Sequence, residues 1–304
     1  ATATGRQRTF LMMFDRMGLG DHCVIVTHMV LKLANNLRFW GDDDSIIRRS
    51  NDVLRDLVFS FASGRLLLTI DEISQMLLNH GQQYFPFLAN PRNVRHRTTF
   101  YTSLARLVFF EDDSERFDPF IAPILSVLDS IAPSVSVRDD RIAVALIGVT
   151  RDLRGILAAA HNKSSYNQCF DALFPHHIDT LLRGLEMWAD KPSVTTSVLK
   201  FFSELVMQRG SRIAFGNSSA NGILLFKRAS QAIIVYGTRL SQTQTPSTDA
   251  YALRYKGIYI SAQILARCID GGFVNFGVLE HYQDRSFSQS LEVVLQLLLG
   301  ISPP

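Results

Sequence analysis

Two acidic runs are the first candidates for chemistry. "DDDS" (42–45) and "EDDSE" (111–115) place carboxylates side by side, and clustered carboxylate oxygens are what a hard cation requires. All-helical prenyl-transfer enzymes hold magnesium diphosphate on a DDxxD pattern. Neither run has it, because the fifth residue is Ile46 in one and Arg116 in the other. Both runs fall at the ends of predicted helices, where acidic residues suit the N-terminal dipole or a solvated turn. Eight histidines give no ligand set by spacing. His22 and His28 are six apart and share no helix face, and the adjacent His176 and His177 are expected to point to different faces. Cys23, Cys169 and Cys268 are far apart with no CxxC, so neither a zinc site nor a disulfide framework is implied. They read as free buried thiols in a reducing compartment. No metal and no cofactor is assigned.

Nucleotide and hydrolase signatures are missing: there is no GxxxxGK[ST], GxSxG or HExxH. "GLGDHC" (18–23) starts like a dinucleotide loop but ends in Cys23 and follows a helical pattern, where that loop needs a strand before it. "NKS" (162–164) and "NSS" (217–219) match the glycosylation acceptor pattern. The sequence shows no secretory signal, so they read as chance matches. Catalysis is not expected.

Three charges interrupt the apolar stretch "GVTRDLRGILAAA" (148–160): Arg151, Asp152 and Arg154. At 100° per residue, Ile142, Leu146, Val149, Leu153, Ile156 and Leu157 form one apolar stripe. Arg151 points almost opposite to it, and Asp152 and Arg154 lie on its flanks. Gly148 and Gly155 share the face between Arg151 and Asp152. Mid-helix glycine costs about 1 kcal/mol relative to alanine, so two on one face suggest close approach by another element. Neither arginine has an acidic residue three or four positions away, so partners must come from another helix or another molecule. Two roles stay open, an internal brace between helices and a contact to a bound protein. The densest basic run, "RNVRHR" (92–97), is either a solvated helix start or a contact to an acidic partner through Arg95 and Arg97.

Composition narrows the class of protein that carries these residues. Of 304 residues, 47% are apolar and 19% charged, below the roughly 25% charge of ordinary domains, so much surface should be buried. The formal charge of +3, from 31 basic and 28 acidic residues, is too balanced to mark a nucleic-acid or membrane-surface binder. No run approaches the ~18 apolar residues of a membrane span. The first residue is not Met and the last residues, "ISPP", follow a strong apolar run; both ends are expected to be cuts through a longer protein.

Helical periodicity recurs nearly throughout. It predicts helices near 21–40, 44–62, 70–80, 94–111, 116–132, 137–160, 165–173, 176–189, 192–209, 220–239, 249–269 and 286–301. Ser45, Pro175 and Pro192 stand at expected helix starts. The best strand candidate is "SRIAF" (211–215), too isolated to form a sheet. Short connections favour antiparallel neighbours. Periodicity leaves two all-α architectures open, a compact globular bundle and a HEAT-like helical-repeat solenoid, and truncated ends fit the solenoid better. The expectation is then one continuous segment over 1–304 of about six helix pairs, with no second domain and an irregular period of roughly 45–60 residues, beside the ~40–47 of HEAT and armadillo units.

The residues also resemble a known family. "RHRTTFYTSLARLVF" (95–109), "GVTRDLRGI" (148–156), "VTTSVLKFFSELV" (194–206), "SSANGILLFKRAS" (218–230) and "GGFVNFGV" (271–278) together resemble the exportin-7 family of the importin-β (karyopherin) superfamily. The resemblance runs from "DRMGLGD" (15–21) to "LLLGI" (297–301). Ala220 stands where that family often has proline, and Thr150 where it has an aliphatic residue. The resemblance implies a right-handed superhelix of stacked helix pairs that shuttles between nucleus and cytoplasm. Such a receptor binds protein cargo together with GTP-bound Ran, passes nuclear pore proteins and releases cargo after hydrolysis on Ran. Ran supplies the GTPase, so the receptor is no enzyme, and the family's main Ran-binding repeats lie outside this segment. The contrasting expectation is a Ran-independent helical scaffold or adaptor. The resemblance assigns no cargo contacts; Arg151, Asp152, Arg154, Arg95 and Arg97 are candidates from the residues alone.

Overall fold

The computed structural model describes residues 12, 14–18, 22–60, 63–111, 114–216, 219–242 and 251–300. Among them there is no strand. The chain divides into two compact units, Ala1–Phe110 and Glu111–Pro304, and each is a stack of helices.

In the first unit α1 (His22–Phe39) and α2 (Asp44–Phe59) form an antiparallel pair, followed by the short α3 (Ser63–Leu67), α4 (Asp71–Leu78) and α5 (Arg97–Val108). α4 packs on α1, and α5 packs on α2. α2 shows why: Ile47, Ser50, Asn51, Leu54 and Val58 recur at helical spacing and are its buried face. Phe100 of α5 closes this core with its ring 5.1 Å from Phe85 and 5.3 Å from Phe87. α2 is capped by Asp43, whose carboxylate accepts from the Ser45 and Ile46 amides. The helix therefore starts one residue before Ser45.

The second unit holds α6 (Ser114–Ile131), α7 (Asp140–Ala159), α8 (Lys163–Leu173), α9 (His176–Met187), α10 (Pro192–Leu205), α11 (Asn221–Ser241), α12 (Lys256–Asp270), α13 (Phe276–His281) and α14 (Ser286–Leu299). A π-helical turn, Tyr251–Tyr255, leads into α12. α6, α9, α11 and α14 pack in sequence as one row; α7, α10 and α12 pack as a second. Within each pair, α6 meets α7, α9 meets α10 and α11 meets α12. This two-row arrangement, with each pair resting on the next, is the architecture of a helical-repeat stack. Asn162 caps α8 through the Ser165 amide at 2.8 Å, so "NKS" is part of a helix start. Pro175 and Pro192 sit at helix starts as expected.

The stripe predicted for 141–160 is the buried face of α7: Ile142, Leu146, Val149, Leu153, Ile156 and Leu157 are 9% exposed or less. Gly148 and Gly155 are buried as well, as expected for a helix packed on both sides. "SRIAF" is not a strand but an irregular connection between α10 and α11. Gly210 and Ser211 both take left-handed backbone (φ 53° and 59°), which turns the chain so that Arg212 points inward.

None of the three cysteines is in a disulfide. Cys169 and Cys268 are buried, and burial pushes each thiol up to about 12; Cys23 is only half-buried. Reactivity follows the thiolate and its exposure. A water-soluble thiol reagent at pH 8 is therefore expected to modify Cys23 first, with Cys169 and Cys268 modified only in denaturant. Peptide mapping after timed labelling checks this, and fast labelling of Cys169 would contradict it. No helix among the described residues is long and apolar enough to cross a membrane.

Candidate protein-binding surface

The acidic run at 42–44 does three separate jobs. Asp43 caps α2, Asp42 accepts from the Asn90 side chain at 3.3 Å, and Asp44 meets Arg95 and His96. Hydrogen bonds from His96 first, then Arg95, hold the Asp44 carboxyl below its usual range. These carboxylates line only a shallow depression beside Phe39 and Trp40. Carboxylates already engaged with a cap, an amide and a cation pair are not arranged to share one ion. In the second run, 111–115, residues 112 and 113 lie outside the described residues.

The histidines differ from expectation. His176 and His177 do not diverge; Nε2 of His176 and Nδ1 of His177 lie 3.7 and 3.6 Å from Asp129 Oδ1. Burial pushes the His177 imidazole down and Asp129 opposes it. The turn at Pro175 starts α9 so that both rings face the end of α6, a placement sequence spacing cannot show. Asp129 and His176 are exposed and His177 is half-buried, and one ligand atom from each lies within 4.8 Å of the others, a spacing that could hold a metal ion, although exposed acidic groups commonly stand without one.

Among the five candidate residues, Arg95 and Arg97 behave oppositely. Arg95 is 61% exposed beside Asp44. Arg97 is buried and its Nη1 donates to the Leu88 carbonyl at 2.6 Å; it braces the turn that precedes α5. On α7, Asp152 is buried, while Arg151 and Arg154 are half-exposed. Burial lowers the Arg154 guanidinium from its ordinary value and Glu204 of α10 opposes that shift. The two arginines thus border the surface of the second row, with Asp152 behind them.

That surface is aligned by short polar ties. Thr150 Oγ1 lies 2.9 Å from Ser197 Oγ and joins α7 to α10. Ser203 Oγ donates to Gln263 Oε1 at 2.9 Å, and Arg267 Nη1 donates to the Ser203 carbonyl at 2.6 Å, joining α10 to α12. Lys191 Nζ reaches Asp140 Oδ1 at 2.5 Å at the N-terminal ends. At the other end Arg212, fully buried, sits between the C-termini of α7 and α10. With these ties in place, Arg151 and Arg154 come level with Lys200 and Glu204.

The geometry defines a class first: among the described residues of the second unit, helices are stacked in two rows and polar side chains tie helix to helix. That is a helical-repeat protein. Comparison with known proteins gives the family. The family model described as "Exportin-7-like, TPR domain" matches residues 2–96. The chain is 35% identical to Exportin-7 of Dictyostelium discoideum over 288 residues, which is 94% of this chain and 29% of that one. It is 36% identical to Exportin-7-B of Xenopus laevis, over 94% of this chain and 27% of the other. It is 33% identical to Ran-binding protein 17 of Homo sapiens, over 97% of this chain and 28% of the other. The chain belongs to the exportin-7 family, and it spans under a third of the length of these relatives.

Proposed function

We propose that this chain is a segment of a nuclear transport receptor that exports protein cargo in a Ran-GTP-dependent cycle. The observation that supports this reading is the similarity, over more than nine-tenths of the chain, to proteins named exportins and Ran-binding proteins. In this reading residues 1–304 form one continuous run of about six helix pairs, and the receptor shuttles between nucleus and cytoplasm past nuclear pore proteins. GTP-bound Ran binds mainly through parts of the full receptor beyond this segment. The segment needs no cofactor and catalyses nothing. Each helix pair rests on its neighbours, so small changes at many interfaces add up and couple Ran binding to cargo binding. The partner-facing residues are Arg151 and Arg154, supported by Asp152, and Arg95, supported by Arg97.

The test is binding of Ran, loaded with GTP or GDP, to the full-length receptor. Tight binding of the GTP form alone is the expected result. Equal binding of both forms, or none, would remove the transport cycle and leave a Ran-independent scaffold or adaptor.

A further inference from the structure

The two rows of the second unit carry their charge differently. In the first row, cations on α11 meet acids on the neighbouring helices or connections. Arg228 lies 3.1 Å from Asp179, Arg239 lies 2.7 Å from Glu186, and Lys227 lies 2.6 Å from Asp284. In the second row the half-exposed cations are Arg151, Arg154, Lys200, Lys256 and Arg267, and Arg141 is exposed at the start of α7. The carboxylates there are Asp140, held by Lys191, Asp270 at the end of α12, the buried Asp152, and Glu204, which holds Arg209 and Arg212. On these three successive helices six cations therefore stand against four carboxylates.

These cations lie close enough to feel one another. Burial lowers the Lys200 ammonium first, and the charges of Lys256, Arg154 and Arg151 lower it further. The Glu204 charge opposes the burial-driven lowering of both Arg154 and Arg267, which come from helices on opposite sides of α10. On α12, Lys256, Tyr259, Gln263 and Arg267 fall at helical spacing on one face, and Tyr259 is 65% exposed. Val144 of α7 is 58% exposed near the same border. A like-charged group held in partly desolvated positions costs stability, and an anionic partner relieves that cost.

We propose that this band on α7, α10 and α12 binds an acidic segment of a partner protein, laid across the three helices. Neighbouring helix axes are roughly 8–10 Å apart, so the band spans about 20 Å. About six extended residues at ~3.3 Å each cover it. A polypeptide fits better than a nucleic acid. The cations are half-sunk between helices with one exposed aromatic among them, whereas single-stranded nucleic acid needs a longer basic track with repeated stacking platforms. This inference rests on the protein-binding reading of the second-row surface, and it does not require Ran.

The experiment uses the full-length receptor without Ran. A fluorescein-labelled peptide with a Glu/Asp core is titrated beside its Gln/Asn counterpart and a single-stranded oligonucleotide of equal charge. The acidic peptide is expected to bind more tightly than both. K200E with K256E should weaken it about tenfold or more, since each exposed charge pair contributes modestly and reversal adds repulsion. K200Q with K256Q should weaken it a few-fold and serves if the reversed pair fails to fold. K163E, at the exposed start of α8, controls for net charge and should leave binding unchanged. Equal binding of the neutral peptide, tighter binding of the oligonucleotide, or indifference of folded variants to both double substitutions would overturn the proposal. Ran-GTP binding by the same variants is read separately. Loss of peptide binding with Ran binding intact isolates the band, whereas absence of Ran binding in the unsubstituted receptor bears only on the transport cycle.

Discussion

Replacing Arg212 by methionine lowers the stability of the second unit by about 3–5 kcal/mol, the range for removing one partner of a buried charged network. The guanidinium is fully buried and spends all its donors. Nε donates to the Met207 carbonyl at 2.9 Å. Nη1 donates to the carbonyls of Leu157 and, at 2.8 Å, Ala160. Nη2 donates to the Glu204 carbonyl at 2.8 Å and to its carboxylate at 3.2 Å. Leu157 and Ala160 end α7, and Glu204 lies in the last turn of α10. The last carbonyls of a helix have no partner within it, and a cation there also meets the negative end of the helix dipole. Methionine fills similar volume and removes every one of these donors. Four backbone carbonyls then lose a bond in a site without water access, and each such loss costs about 1–3 kcal/mol. Glu204 keeps Arg209 at 2.9 Å, which limits the damage on the carboxylate side. Lysine restores the charge but not the fork, so R212K should recover only part of the loss. Urea unfolding followed by the buried Trp188, with the exposed Trp40 replaced by Phe, reads this directly. A change under 1 kcal/mol for R212M would show that water or a shifted neighbour satisfies these carbonyls.

Arg212 also marks where the sequence stops being legible. Helices were readable because burial imposes periodicity. The stripe from Ile142 to Leu157 can only be one buried helical face, and Pro192 announces its helix by its own chemistry. "SRIAF" is a short stretch, ending in Ile213, Ala214 and Phe215, set between turn residues, and so imitates an isolated strand. Its real determinant is a left-handed turn at Gly210 and Ser211 and two helix ends that meet only in the folded stack. Nothing local in the sequence brings Leu157 and Glu204 to one point. The basic band was hidden for the same reason. Arg151 and Arg154 stand out because apolar residues surround them, whereas Lys200 and Lys256 look like ordinary solvated charges on separate helices. Stacking α7, α10 and α12 makes them one group. Asp152 and Arg97 show the reverse. Their charge drew attention in the sequence, and the structure buries both, because a helix packed on both sides leaves a narrow exposed edge.

Gly222→Ala destabilises the second unit by about 1–3 kcal/mol, the cost of overpacking, where the same change in an open helix position would stabilise by up to ~1 kcal/mol. Gly222 opens α11, and a Cβ built there would lie 2.1 Å from the carbonyl oxygen of Phe273. That oxygen is backbone and cannot rotate away as a side chain would, so either the start of α11 or the 271–275 connection must move. Movement there is resisted by what the connection leads into. Phe276 of α13 lies 5.2 Å from Phe226 of α11 and 5.0 Å from Phe287 of α14, so the connection is clamped between three helices. The contact joins "SSANGILLFKRAS" to "GGFVNFGV", two of the blocks that carry the family resemblance. Their side chains read as separate motifs in the sequence, but they meet as one backbone-on-backbone approach that only glycine permits. Gly216→Ala is the matched control, since nothing lies within 4 Å of a Cβ there; surface changes of that kind fall within about 0.5 kcal/mol. Trp188-monitored urea midpoints for the two variants should therefore move by clearly different amounts. Equal, near-zero shifts would mean that the 271–275 connection gives way freely, and that the clamp formed by Phe226, Phe276 and Phe287 does not hold it.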